Sequence, residues 1–138
     1  MADYFTHFSC LLDVSAPENA ARAIEIYEAD CADGALEAQF SNGFFVSVPS
    51  EDAGSQLWMR DEGAGDPESV IRFVKICASE FGLSGCWGFQ YSNTCSKPRL
   101  DGFGGGAHVL DLATGETVDW IDTENWIAQT IADAGGKS

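Results

Sequence analysis

Five cysteines, two histidines and a large surplus of carboxylates are the side chains of this 138-residue chain with chemical potential. Cys95 and His108 come nearest to a recognisable pairing. A thiol nucleophile needs a base within hydrogen-bond reach and a third group to orient that base. Cys95, His108 and Asp111 are the right residue types, with Asp101 as a second orienting carboxylate and Asn93 as an oxyanion donor. Their spacing decides nothing, because nucleophile and base can lie anywhere in sequence. A histidine at the start of a strand serves equally well as a packed imidazole, and Cys95 as a small apolar filler.

The same stretch, "YSNTCSKPRLDGFGGGAHVLDL" (91–112), offers a second chemistry. Lys97 and Arg99 precede "GFGGG", whose successive amides could form an anion nest. No helix follows the glycines, so the strand–G-x-G-x-x-G–helix context of a dinucleotide site is missing. A bulged connection between strands reads the same letters. "GGKS" at the end imitates a phosphate loop, but Ile131 takes the place of its first glycine. For metals, His7 and His108 fall on separate expected strands, and "DEGAGD" (61–66) lacks the twelfth-position glutamate of a calcium loop. The sequence implies no metal and no other cofactor.

The carboxylates form a third group. Twenty-two Asp and Glu against seven Lys and Arg give a net charge of −15. Such a field repels nucleic acid and anionic headgroups and steers basic partners toward it. Solubility alone is the competing account of the same charge. Carboxylates spaced over a rigid scaffold imitate a duplex, which carries about one charge per 1.7 Å of axis. Glu25, Glu28, Asp30 and Asp33 from an expected helix, and Asp61 and Glu62 from a loop, are the candidate partner-binding residues. Trp58 is their candidate aromatic anchor, since tryptophan dominates many interfaces.

The elements that must position these groups follow from periodicity. "HFSCLLDV" (7–14) reads as a mostly buried first strand. Ser15-Ala16-Pro17-Glu18 has the form of a capping box, and Ala20, Ile24, Tyr27 and Cys31 then make one helical stripe ending at Gly34. "GFFVSV" (43–48) and "QLWMR" (56–60) read as strands. Asp66 and Pro67 open a second helix, with Val70, Phe73, Val74, Cys77 and Phe81 as its stripe and Gly82 as its stop. "CWGFQYSN" (86–93) alternates aromatic and small or polar residues. "AHVLDL" and "ETVDWI" flank "ATG" as a hairpin, and Thr123 caps a last helix carrying Trp126, Ile127 and Ile131.

The order is β-α-β-β-α-β, then a hairpin and a helix. The expected fold is α+β, one antiparallel sheet in ferredoxin-like order, extended by the hairpin and the final helix. Residues 1–134 form one domain and 135–138 a polar tail. A chain of this length buries roughly two thirds of its unfolded surface, enough for a self-sufficient core. The cysteines include no C-x-x-C, the first residues lack the basic and apolar regions of a secretory signal, and no apolar run suffices to span a membrane. A reduced, cytoplasmic protein is the expectation.

The run "WGFQYSNTCSKPRLDGFGGGAHVLDL", followed by "GETVDW" and preceded by the strand "LWMRD", is similar to small acidic proteins of bacterial plasmids and other mobile elements. The likeness covers most of the chain, with 87–120 its most distinctive part, and it carries no catalytic residues. It implies an accessory role such as evading host defences or regulating transfer. The leading expectation is therefore a non-enzymatic acidic protein that blocks a basic, nucleic-acid-binding surface of a protein partner. A small Cys/His enzyme or small-ligand protein using the 91–112 stretch is one alternative. A homo-oligomeric structural protein is the other.

Overall fold

The computed structural model describes residues 4–33, 44–49, 54–61, 65–97 and 103–135. The chain runs β1 (Tyr4–His7), β2 (Ser9–Asp13), α1 (Pro17–Asp33), β3 (Phe45–Ser47), β4 (Gln56–Arg60), α2 (Pro67–Phe81), β5 (Cys86–Cys95), β6 (Gly104–Asp111), β7 (Thr117–Asp122) and α3 (Thr123–Gly135). The α+β class is as expected. The single sheet is not: the strands form a four-stranded antiparallel sheet, β1-β5-β6-β7, and a three-stranded antiparallel sheet, β2-β4-β3.

The division arises at Phe8. The apolar run expected as one strand begins earlier, at Tyr4, and breaks there. β1 pairs with β5 in register Thr6↔Asn93, whereas β2 pairs with β4 in register Leu12↔Leu57. Phe8 is buried at the junction with its ring edge-on to Phe89. The Trp87 indole donates to the Leu11 carbonyl (2.8 Å) and ties the two sheets together beside the break.

One apolar cluster serves both sheets and two of the helices. β4 alternates as its sequence demands, with Leu57 and Met59 inward and Gln56, Trp58 and Arg60 outward. α1 contributes Ala20 and Ala23, and α2 contributes Val70, Phe73, Val74, Cys77 and Ala78. Phe73 packs against Phe44 and Tyr27, at centroid distances of 5.3 and 6.2 Å. α3 contributes no buried residue.

The helix ends show which local signals held. Asp66 caps α2, accepting from the Glu68 amide (3.0 Å) and the Ser69 hydroxyl (2.9 Å). Pro67 follows in the first turn, and Gly82 ends the helix at φ 62°, in the left-handed region where a β-carbon is penalised. The capping box at Ser15 does not form. Ser15 has φ 79°, its amide is held by Asp13 (2.8 Å), and the carbonyl opening α1 is that of Ala16. At α3 the cap is Asp122, which accepts from the amides of Glu124 and Asn125. Thr123, expected as the cap, is the first helical residue and donates instead to the Gly105 carbonyl (3.0 Å).

Candidate functional site

The thiol–imidazole pair that the alternative reading needs does not assemble. His108 stands opposite Phe89 on β5, and Cys95 lies six residues further along that strand, about 20 Å away at 3.3 Å per residue. Asp111, three residues from His108, projects from the opposite side of β6 and accepts from the Ala113 amide (3.0 Å) in the β6–β7 turn. Among the described residues neither His108 nor Asp111 stands beside the Cys95 thiol, so these two candidates do not supply it with a base and an orienting carboxylate. Burial pushes the Cys10 and Cys77 thiols up to about 12, Glu80 adding to the effect at Cys77, so both stay protonated. Cys86 is the exposed thiol among those described. Iodoacetamide at neutral pH should therefore modify Cys86 first and Cys77 last, read by peptide mass mapping. Faster labelling at Cys95 than at Cys86 would mark an activated thiol and restore the enzymatic reading.

The glycine run is a piece of sheet. Gly104, Gly105 and Gly106 lie in β6 opposite Asn93, Ser92 and Tyr91. A β-carbon at Gly106 would come within 2.5 Å of both the Tyr91 hydroxyl and the Ile121 carbonyl oxygen. Gly106 thus leaves room for the Tyr91 ring, Gly105 for the backbone of Tyr91 and Ser92, and the run is paired with β5 as part of the sheet. Lys97 is exposed beyond the end of β5. Arg99, like Asp101 and Gly102, lies outside the described residues.

The acidic candidates scatter. Glu25 and Glu28 are exposed on α1 and Asp30 is half-buried there. Arg22 reaches Glu25 at 3.6 Å and Glu80 of α2 at 3.5 Å, neutralising part of that helix face. Glu62 and the side chain of Asp33 lie outside the described residues. Asp61 belongs to the interior of the fold, with its side chain 13% exposed. One carboxylate oxygen accepts from the Phe8 amide (2.9 Å) and the other meets His7 Nδ1 (2.8 Å). His7 Nε2 in turn meets the Thr94 hydroxyl (3.1 Å). The line Asp61–His7–Thr94 spans the sheet break, where Asp61 receives the Phe8 amide on its side chain and donates its own amide to the Phe8 carbonyl. Trp58 is also occupied within the chain: its indole donates to Ser9 (2.8 Å), and the Arg60 guanidinium covers the ring at 4.1 Å.

Two features were not anticipated. The first is a groove of about 450 Å³ where the start of α2 overhangs the four-stranded sheet, lined chiefly by Glu68, Ile71, Tyr91, Asn93, His108 and Trp120. Its volume lies in the range of small-ligand sites. His108 Nε2 is fixed by the Thr117 hydroxyl (2.8 Å). Burial, with help from the Lys75 charge, holds the imidazole below the ordinary histidine range, so it is neutral at physiological pH. No family model, curated protein or solved structure matches this chain. The groove must therefore be read from its own atoms. Among the described residues no three histidine, cysteine or carboxylate side chains are grouped to share a metal ion. No helix there is long and apolar enough to cross a membrane.

The second feature is the outer end of the same sheet. Trp120 on the edge strand β7 is 55% exposed, and Val118 and Ile121 beside it are also exposed. On α3, Trp126 is 58% and Ile131 66% exposed, with Ile127 between them. Interior packing would normally claim such residues, and several large apolar side chains left exposed in one part of a chain are candidates for an interaction site. Asp119, Asp122, Glu124 and Asp133 are interspersed, and residues 117–135 contain no Lys or Arg. Periodicity found the α3 stripe but could not distinguish a stripe facing a core from one facing solvent.

Proposed function

We propose that this chain is a non-enzymatic binding protein that occludes a basic, nucleic-acid-binding surface of a protein partner, with β7 and α3 as its contact elements. The observation that carries the reading is a terminal helix that buries none of its residues yet displays Trp126, Ile127 and Ile131. Tryptophan anchors with a rim of carboxylates suit a partner whose apolar contacts are ringed by Lys and Arg. The remaining charge, including Glu25 and Glu28 on α1, accelerates encounter without setting the contact. Four free thiols among the described residues accord with a reducing cytoplasm, and an accessory role on a mobile element fits such an inhibitor. The scaffold is read as a split βαβ unit bent at Phe8. Counting β1 and β2 as one strand gives the neighbours β5, β4 and β3 in ferredoxin-like sequence, all antiparallel.

The test is capture of host proteins on the immobilised chain at low and at physiological salt, followed by kinetics on the partner identified. The double substitution Trp126→Ser, Ile131→Ser touches exposed side chains and should leave the fold intact. It should weaken the complex at least tenfold, chiefly through faster dissociation, and salt should slow association. A partner held equally by the double variant would reject the reading. So would sedimentation of the free chain as a dimer that the same substitutions dissociate, because the face would then be covered by a second copy.

A further inference from the structure

We propose that the groove between the start of α2 and the four-stranded sheet receives an arginine side chain of the partner, with Trp120 and Glu68 as its two recognition groups. The inference rests on the binding-protein reading above and names the side chain that reading requires. Trp120 belongs both to the exposed end of the sheet and to the wall of the groove, so a partner seated on β7 passes the groove mouth. A side chain entering there meets Ile71 and Tyr91, which suit an aliphatic stem, with Trp120 available to a planar cation. Guanidinium combines those requirements better than ammonium, being planar and more weakly hydrated.

The charges near the groove favour a cation. Asp66 is committed to the helix cap through Glu68 N and Ser69 Oγ, and it offsets the positive end of α2. Glu68, exposed in the first turn, is the carboxylate left to face an incoming charge. Lys75, the cation near His108, lies two turns further along α2, about 10 Å from Glu68 at 1.5 Å per residue. The neutral imidazole of His108 adds no repulsion. No Lys or Arg is among the described residues that line the groove; Arg72, one turn beyond Glu68 on α2, is exposed outside that lining. A negatively charged small ligand in the groove would therefore meet Glu68 with no lining cation to offset it.

The probe is a blocked Gly-Arg-Gly tripeptide, compared with the same peptide carrying citrulline, which keeps the shape and removes the charge. Binding is followed by the indole N–H resonance of Trp120, assigned by its loss in Trp120→Phe. The arginine peptide should shift that resonance saturably and bind at least fivefold tighter than the citrulline peptide. Glu68→Gln should reduce that preference to below twofold. Equal binding of the two peptides, or a preference untouched by Glu68→Gln, would overturn the proposal, as would an unmoved Trp120 resonance. The arms separate the two readings on the identified partner. Loss of binding in Trp126→Ser, Ile131→Ser but not in Glu68→Gln rejects the groove alone, whereas retention in both rejects the contact surface itself.

Discussion

Replacing Phe73 by alanine should remove about 3–5 kcal/mol of folding stability, seen as a lower urea midpoint at unchanged slope. Phe73 is fully buried and stands where α1, α2 and the residue before β3 converge. Its ring is 5.3 Å from Phe44 and 6.2 Å from Tyr27, and Tyr27 is itself tied to the Phe44 carbonyl through its hydroxyl. Truncation would remove both ring contacts and leave a cavity under a helix that cannot easily sink into it. Domains of this size are stable by only about 5–15 kcal/mol in total, so the variant should sit close to unfolding at physiological temperature. Phe73→Leu keeps most of the volume and should lose less than half as much. A loss under about 0.5 kcal/mol for alanine, the range of an ordinary surface change, would mean the three elements do not meet at this ring.

The second large effect belongs to Asp61. Hydrogen bonds to a charged group contribute about 1.5–3 kcal/mol each, and Asp61 supplies them to both the Phe8 amide and His7. Asp61→Ala should cost about 2–4 kcal/mol, reduced from the simple sum because the His7 side chain is partly solvated. Asp61→Asn retains an acceptor for the Phe8 amide and should lose less than alanine. The Phe8 amide should lose its protection from hydrogen exchange in the alanine variant, ahead of amides in the middle of β5. If Asp61 served a partner and not the fold, the alanine variant would keep that protection and lose only the complex.

The parts of this molecule legible in its sequence are those governed by neighbours. α2 was marked by Asp66, Pro67, the Val70–Phe81 stripe and Gly82, all acting within a few residues of one another. The alternation of β4 and β5 was equally local. What escaped was decided at long range. "HFSCLLDV" looks continuous because nothing near Phe8 announces that residues before it pair with β5 and residues after it with β4. Asp61 carried the signs of a solvated loop charge, and only the fold brings it to His7. Gly104–Gly106 read as a loop because glycine is rare inside strands, yet what crowds Gly105 and Gly106, the backbone and ring of Tyr91, is on a different strand. Trp120 and Trp126 were visible as letters, but their exposure follows from α3 lying outside the core.

The switch at Phe8 also bears on how the chain is made. Residues 4–13 leave the ribosome before their hydrogen-bonding partners, the strands at 56–60 and 86–95. Synthesis proceeds at roughly 5–20 residues per second, so this segment waits several seconds with Phe8 and Leu12, both buried in the folded chain, uncovered. Final closure belongs to the moment β5 emerges. A nascent chain stalled short of that strand would present an apolar, unpaired segment to chaperones and proteases.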